Sequence, residues 1–208
     1  VLTGNAAEAG SRAQTEVMAP KIALVYASRH GHVRAIAERL ASIAAIRRCE
    51  CAVIDVKHAH ANALDGCDAA VIAGSVHFGR HAGTLRRFVA RKLARLSSIP
   101  TAFVSVSGSA AALNGRAEAE KYIDDFIRVT GWRPDLRLSV AGAVLYTKYG
   151  PITRLMMKFA SRTAGRDTDT TRDYVYTNWS EVDQFMHGFI DTLERHAHAV
   201  QEKQRARA

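Results

Sequence analysis

Four short runs of nearly unbroken apolar residues recur along the first half of the chain: Lys21 to Ala27 (KIALVYA), Cys51 to Val56 (CAVIDV), Ala69 to Gly74 (AAVIAG) and Thr101 to Val106 (TAFVSV). Runs this short, without polar alternation, predict strands buried on both faces, as in a parallel sheet covered by helices on each side. Longer helical patterns separate them. Val33, Ile36, Ala37, Leu40, Ile43 and Ala44 form one apolar stripe, and Leu85, Phe88, Val89 and Leu93 form another. A further helix is predicted over Asn114 to Thr130, with Tyr122, Ile123, Phe126 and Ile127 inward, stopped by Gly131 and followed by Pro134. Leu136 to Ala143 (LRLSVAGA) reads as a fifth strand. Trp179, Val182, Phe185, Met186, Phe189, Ile190 and Leu193 predict a long closing helix capped by Asn178 or Ser180. Five strands and about five helices make a doubly wound α/β domain, with strand order 2-1-3-4-5 expected.

One segment breaks the rhythm. Tyr146 to Thr177 is far longer than an ordinary connection, which points to a functional insertion (146–177) near the fifth strand. Its first half is amphipathic and basic: Ile152, Leu155, Met156 and Phe159 share one face, with Lys148, Arg154, Lys158 and Arg162 around it. Tyr174 to Thr177 is expected to rejoin the sheet edge. Residues 1–19 and 199–208 are small or polar without a period and are expected to be disordered tails around a domain spanning 20–198. Met18 stands just before the first strand as a candidate translational start.

Composition narrows the class. The 208 residues are 48% hydrophobic and 24% charged, enough for a sizeable core. Neither a secretory leader nor a spanning apolar stretch is evident, so a cytoplasmic protein is expected. Cys49, Cys51 and Cys67 form an odd set, best read as reduced, half-buried thiols. The net charge of +9 attracts anions: nucleic acid, lipid headgroups or carboxylates. Exposed aromatics are not interleaved with the basic residues as a nucleic-acid stacking platform requires, so no nucleic acid is expected. The pairs His30 and His32, His58 and His60, and His196 and His198 lack a convergent carboxylate or cysteine, so no metal site is expected.

The chemistry is concentrated in the turn after the first strand, VYASRHGHVRAIAERL (Val25 to Leu40). A strand, a short loop and a helix N-terminus converge backbone N–H groups and the helix dipole on one point. Ser28 supplies a hydroxyl, and Gly31 lets the backbone approach an anion closely. Neither the dinucleotide fingerprint G-x-G-x-x-G nor the P-loop is present, which leaves a monophosphate as the best guest. An ordinary turn that binds nothing is the alternative.

This loop resembles the flavodoxin phosphate loop, Ser/Thr-x-Thr-Gly-x-Thr. Ser28 and Gly31 keep two of its positions, whereas His30 and Val33 replace hydroxyls. Gly74-Ser-Val-His-Phe-Gly-Arg-His81, Gly131-Trp-Arg-Pro-Asp135, Ala141-Gly-Ala-Val-Leu-Tyr146, Asp167-Thr-Asp-Thr170 and Val175-Tyr-Thr-Asn-Trp179 resemble, in order and spacing, the flavodoxin-type menaquinone-dependent protoporphyrinogen oxidases of bacteria. The likeness runs from about Lys21 to His196 and includes the insertion.

The resemblance implies a flavodoxin-like fold and an enzyme that oxidises protoporphyrinogen IX to protoporphyrin IX in haem biosynthesis, passing electrons through FMN to menaquinone or another quinone. It implies FMN-binding loops at Ser28, Arg29, His30, Gly31, His32 and Val33; at Ser75, Val76, His77, Phe78 and Gly79; and from Ser107 and Gly108 to Leu113. His77 or Phe78 would flank the flavin, with packing under the third helix as the alternative for Phe78. Arg80, Lys148 and Arg154 are substrate-binding candidates, because arginine matches carboxylates bidentately. Tyr149 to Ala164 is expected to lie in the membrane interface, making the protein peripheral on the cytoplasmic face, near respiratory-chain partners. For this segment, and for Arg86, Arg87, Arg91, Lys92 and Arg95, the simpler reading is a solvated charged face. A flavodoxin-like electron carrier, a quinone reductase and a flavin-free binding module are the alternative functions.

Overall fold

The computed structural model describes residues 19–112, 114–144, 146–148, 155, 161–162 and 169–205; beyond these, the side chain of Lys148 and several near the C-terminus also fall outside it. Arg154, Leu113 and most of the predicted amphipathic segment thus lie outside the described residues, as do residues 1–18.

Five strands form one parallel sheet: β1 (Lys21–Ala27), β2 (Glu50–Asp55), β3 (Ala69–His77), β5 (Thr101–Ser107) and β6 (Leu136–Ala141), with β4 (Arg80–His81) turned back antiparallel on β3. The order β2-β1-β3-β5-β6 is the expected 2-1-3-4-5 once the two-residue β4 is set aside. Helix α1 (His32–Ile46) lies on one face, with α2 (Gly83–Arg91), α3 (Leu93–Leu96) and α4 (Arg116–Thr130) on the other. The closing helix α5 (Trp179–Arg205) packs beside α1, and its start is capped by Asn178, whose Oδ1 accepts from the Glu181 N–H at 3.4 Å. The helix continues through most of the stretch 199–208 expected to be a tail, because QEKQR contains good helix formers and no breaker.

The alternating faces of the strands divide the core. Ile22, Leu24, Val71 and Val104 meet α1 and α5, whereas Ala23, Val25, Ile72 and Phe103 meet α2 and α4. Burial on both sides explains the unbroken apolar runs of β1, β3 and β5, whereas the edge strand β2, expected to be buried alike, leaves Ala52 and Val53 exposed. The β2–β3 connection departs from the expected alternation: it holds only a single 3-10 turn, Val56–His58, and irregular chain. With Leu64 as its one fully buried large side chain, and Asn62, Asp65 and Gly66 favouring turns, it has no apolar stripe to form a helix. Side chains from across the sheet face compensate. Lys92 donates to the Ala61 carbonyl, and Arg95 donates to those of Leu64 and Cys67. These two cations are structural ties rather than a solvated face.

The Trp-Arg-Pro-Asp segment is equally structural. Trp132 is fully buried, its indole N–H donates to Thr101 Oγ1 at 3.3 Å, and Asp135 Oδ2 accepts from the Thr101 N–H at 2.7 Å. These contacts pin the start of β5, at the end of the sheet opposite the carboxyl-terminal loops.

Behind those loops, His81 is packed against Phe103 and Phe126, with ring centroids at 5.2 and 4.9 Å, and its Nε2 lies 3.0 Å from Ser105 Oγ. Burial, with the nearby Arg86 cation adding, pushes its pKa down from 6.5 to about 4. The unfolded chain therefore binds more protons across this window. The neutral imidazole's contribution is whole above pH 6.5 and is lost as pH falls towards about 4. Urea unfolding at pH 7 and pH 4.5 should show a loss on the order of 2–3 kcal/mol from this group, with the pH slope shallower in His81→Gln. Identical slopes in parent and variant would rule out His81 as the cause.

Candidate cofactor site

The carboxyl ends of β1, β3, β5 and β6 open onto one pocket, the usual binding edge of an open α/β sheet. Ser28, Arg29, His30, His32 and Val33 line it from the first loop, Ser75, Val76 and His77 from the second, and Ser107 and Gly108 from the third. Val106, Gly142 and Ala143, which the sequence reading did not single out, complete it. Gly142 and Ala143 lie within the quoted Ala141-to-Tyr146 motif, and that was the signal available for them.

Gly31 is the N-cap of α1, with φ at +91°, where a Cβ would be strained. Its N–H donates to Ser28 Oγ at 3.0 Å, folding the loop into a tight turn. No side chain caps α1 and no acidic residue occupies its first turn, so its positive end is left to the pocket. The His30 and His77 rings meet edge to face at 6.0 Å. Burial above all, with smaller contributions from Arg29 and His30, lowers the His77 pKa. Among the described residues, no Asp or Glu lines the pocket. The arrangement suits a compact anion such as a phosphate monoester.

Besides lining the pocket, His32 has a hydrogen-bond partner outside the loop. Its Nε2 lies 2.7 Å from Thr177 Oγ1, and that hydroxyl donates to the Ala141 carbonyl at 2.7 Å. With its only proton committed, Thr177 must accept, so His32 carries a proton on Nε2. Burial lowers its pKa, consistent with a neutral ring. His32 therefore ties the start of α1 to the end of β6 and to the return of the insertion. Thr177 was missed as a site residue because its partners are remote in sequence.

The second loop is a two-residue hairpin turn. His77 pairs with Arg80, and Phe78 and Gly79 between them have φ of +49° and +76°. A left-handed phenylalanine is strained, yet Phe78 is also 82% exposed. It does not pack under a helix. Phe78, Gly79 and Arg80 lie outside the pocket lining, on the far side of the loop, where Phe78 and Arg80 border a second cleft.

The third loop is braced by α4. Ser107 Oγ accepts from the Ala110 N–H at 3.2 Å, and Ser109 Oγ donates to Glu118 at 2.8 Å. Gly115 crosses so close beneath the loop that a Cβ there would lie 1.9 Å from the Ser109 carbonyl oxygen. Next to the pocket, β7 (Ala143–Val144) pairs antiparallel with β8 (Tyr174–Val175) as the stem of the insertion. The return segment thus forms its own two-stranded sheet instead of joining the main sheet edge. Asp173 accepts from the N–H and hydroxyl of Thr147, both at 2.9 Å, and Tyr146 is buried edge-on to Tyr174. Leu155 and Arg162 of the insertion are exposed. Among the described residues, no three His, Cys, Asp or Glu side chains gather as metal ligands, and no helix is long and apolar enough to cross a membrane.

The profile of the flavodoxin domain family matches residues 23–171. The chain is 31% identical over 166 residues to the protein named protoporphyrinogen IX dehydrogenase (quinone) of Escherichia coli K12, covering 79% of this chain and 92% of that one. It is 28% identical over 172 residues to a protein of the same name from Leishmania major, covering 82% of this chain and 74% of that one. Among solved structures, an archaeal flavodoxin aligns with TM-score 0.52 at 16% identity over 84% of this chain and 99% of its own. The rubredoxin oxygen:oxidoreductase of Desulfovibrio gigas aligns with TM-score 0.54 at 12% identity over 86% of this chain and 37% of its own, a likeness of fold. The flavodoxin fold, the loop geometry at its carboxyl edge and a likeness over about four-fifths of the chain together establish that the chain belongs to the quinone-linked protoporphyrinogen IX dehydrogenase family of flavodoxin-domain proteins and is an oxidoreductase.

Proposed function

We propose that this protein binds FMN and uses it to oxidise protoporphyrinogen IX to protoporphyrin IX, with a quinone, menaquinone among them, as electron acceptor. The observation that carries the reading is a pocket with no carboxylate among the described residues that line it, where Arg29, His30 and His77 surround the uncapped start of α1. FMN supplies the electron chemistry when bound, taking electrons from one partner and releasing them to the other. The residues present fit its phosphate: Gly31 shapes the turn, Ser28 offers its hydroxyl, Arg29 contributes positive charge and His30 can offer a ring N–H. Ser75, Val76 and His77 would stand on one side of the cofactor, with Ser107 and Gly108 on the other. The three-way tie of His32, Thr177 and Ala141 keeps the stem of the insertion against the same pocket.

The reaction removes six electrons and six protons in total, so three quinones become three quinols for each porphyrin formed. Such a quinone resides in a bilayer. The basic amphipathic segment 149–164 would lie in the interface on the cytoplasmic face, with Lys148 and Arg154 near anionic groups and respiratory-chain proteins within reach.

FMN should bind at least about tenfold more tightly than riboflavin, because the phosphate gains charge-assisted hydrogen bonds that riboflavin lacks. Gly31→Val should erase that preference. Equal affinities for the two flavins in the parent, measured by fluorescence titration, would mean that the loop does not hold the phosphate.

In anaerobic stopped-flow, the flavin absorbance of the holoprotein should bleach on adding protoporphyrinogen IX and return on adding a menaquinone analogue. Flavin that stays oxidised with the porphyrinogen would defeat the assignment.

Replacing residues 150–167 by a short Gly-Ser linker, which leaves the stem intact, should abolish sedimentation with anionic liposomes while FMN content is kept. A linker variant that sediments as the parent does would exclude this segment as the membrane contact.

A further inference from the structure

The Phe78 hairpin separates two hollows. One is the cofactor pocket. The other, a cleft of about 480 Å³, is within the usual size range of a small-molecule site. The two share Ser28, Arg29, Ser75 and His77 as a wall, so a molecule in the cleft would lie alongside a cofactor in the pocket.

Beyond that wall the cleft is lined by Lys57 from the turn after β2, Arg80 from β4 and Arg86 from α2, and, among the described residues, by no Asp or Glu. None of these three cations forms an ion pair among the described residues, whereas Arg34, Arg39, Arg47, Arg128 and Arg137 all meet carboxylates. Among the described residues, Arg86 Nε is buried without a hydrogen-bond partner, a costly state for a charged donor that an anion would relieve. Helix α2 starts at the same cleft with no side-chain cap and no acidic residue in its first turn. Phe78 adds an exposed ring held in a strained conformation.

Separated positive charges beside an exposed aromatic match a ligand with an apolar body and more than one carboxylate. We infer that this cleft receives the porphyrinogen, with Lys57, Arg80 and Arg86 meeting its two propionates and Phe78 contacting its macrocycle. The assignment rests on the proposed function for the identity of the substrate. It extends the expected Arg80 contact to a set that includes Lys57 and Arg86, which the sequence reading left unassigned or on a solvated face.

The test compares protoporphyrin IX with its dimethyl ester, titrated into the FMN-loaded protein and followed by the porphyrin absorption shift. The diacid should bind at least about tenfold more tightly than the ester, the size expected for one or more charge-assisted contacts. Lys57→Ala combined with Arg80→Ala should remove most of that difference and raise KM for protoporphyrinogen IX by a similar factor, leaving FMN affinity unchanged. Phe78→Ser should weaken diacid and ester alike. Equal binding of diacid and ester by the parent, or an unchanged diacid affinity and KM in the double variant, would overturn the cleft assignment. A parent that prefers the diacid, loses that preference in the double variant, yet passes no electrons from porphyrinogen to quinone would defeat the dehydrogenase reading while leaving the cleft in place.

Discussion

The rest of the structure follows from a parallel sheet that must be buried on both faces. Its central strands β1, β3 and β5 leave no solvent-facing side on which to carry chemistry, so they are largely apolar and end in loops at one edge, while the edge strand β2 is partly exposed. Because the strands are parallel, the carboxyl ends of β1, β3, β5 and β6 arrive at the same place. Backbone N–H groups and the start of α1 collect there without any long-range design of individual side chains. The local sequence then decides what the edge receives. Here it contributes Arg29, His30 and His77, with no Asp or Glu among the described residues that line the pocket.

The two ends of the sheet have separate tasks. At the amino end, Trp132 and Asp135 fasten the start of β5 through Thr101. At the carboxyl end, His32 and Thr177 fasten the insertion to the start of α1. Both ends carry motifs that mark the family resemblance, but the amino-end motif is a fold determinant far from the pocket. Likeness in a motif therefore does not distinguish binding from packing; the location of its hydrogen-bond partners does. The same distinction separates the basic residues of α2 and α3, where Arg95 holds backbone carbonyls and Arg86 faces a cleft.

Periodicity made most of the fold legible, because burial on two faces leaves a direct imprint: every main strand begins within one residue of its expected position. The β2–β3 connection was less legible because its order comes from Lys92 and Arg95, which lie about thirty residues away in sequence. The phosphate loop was readable from local chemistry and from its resemblance to flavodoxins. Thr177 was not, since its role depends on a contact 145 residues distant in sequence, with His32. Phe78 could be proposed as either a ring contact or a core residue. Only its backbone conformation and exposure exclude the core alternative.

Phe78 also shows how the two hollows are coupled. A turn of this type normally takes Asn or Gly at its first central position, so a bulky aromatic there costs on the order of 1–3 kcal/mol in backbone strain. Exposing the ring to water recovers none of that cost by burial. The hairpin nevertheless holds its register, because Val76 pairs with His81 and His77 with Arg80, while His81 is anchored among Phe103, Phe126 and Ser105. The buried histidine thus supports the strained turn from below. In the same turn, His77 faces the cofactor pocket and Phe78 borders the basic cleft. A single hairpin, anchored through His81, therefore sets the separation between the two hollows.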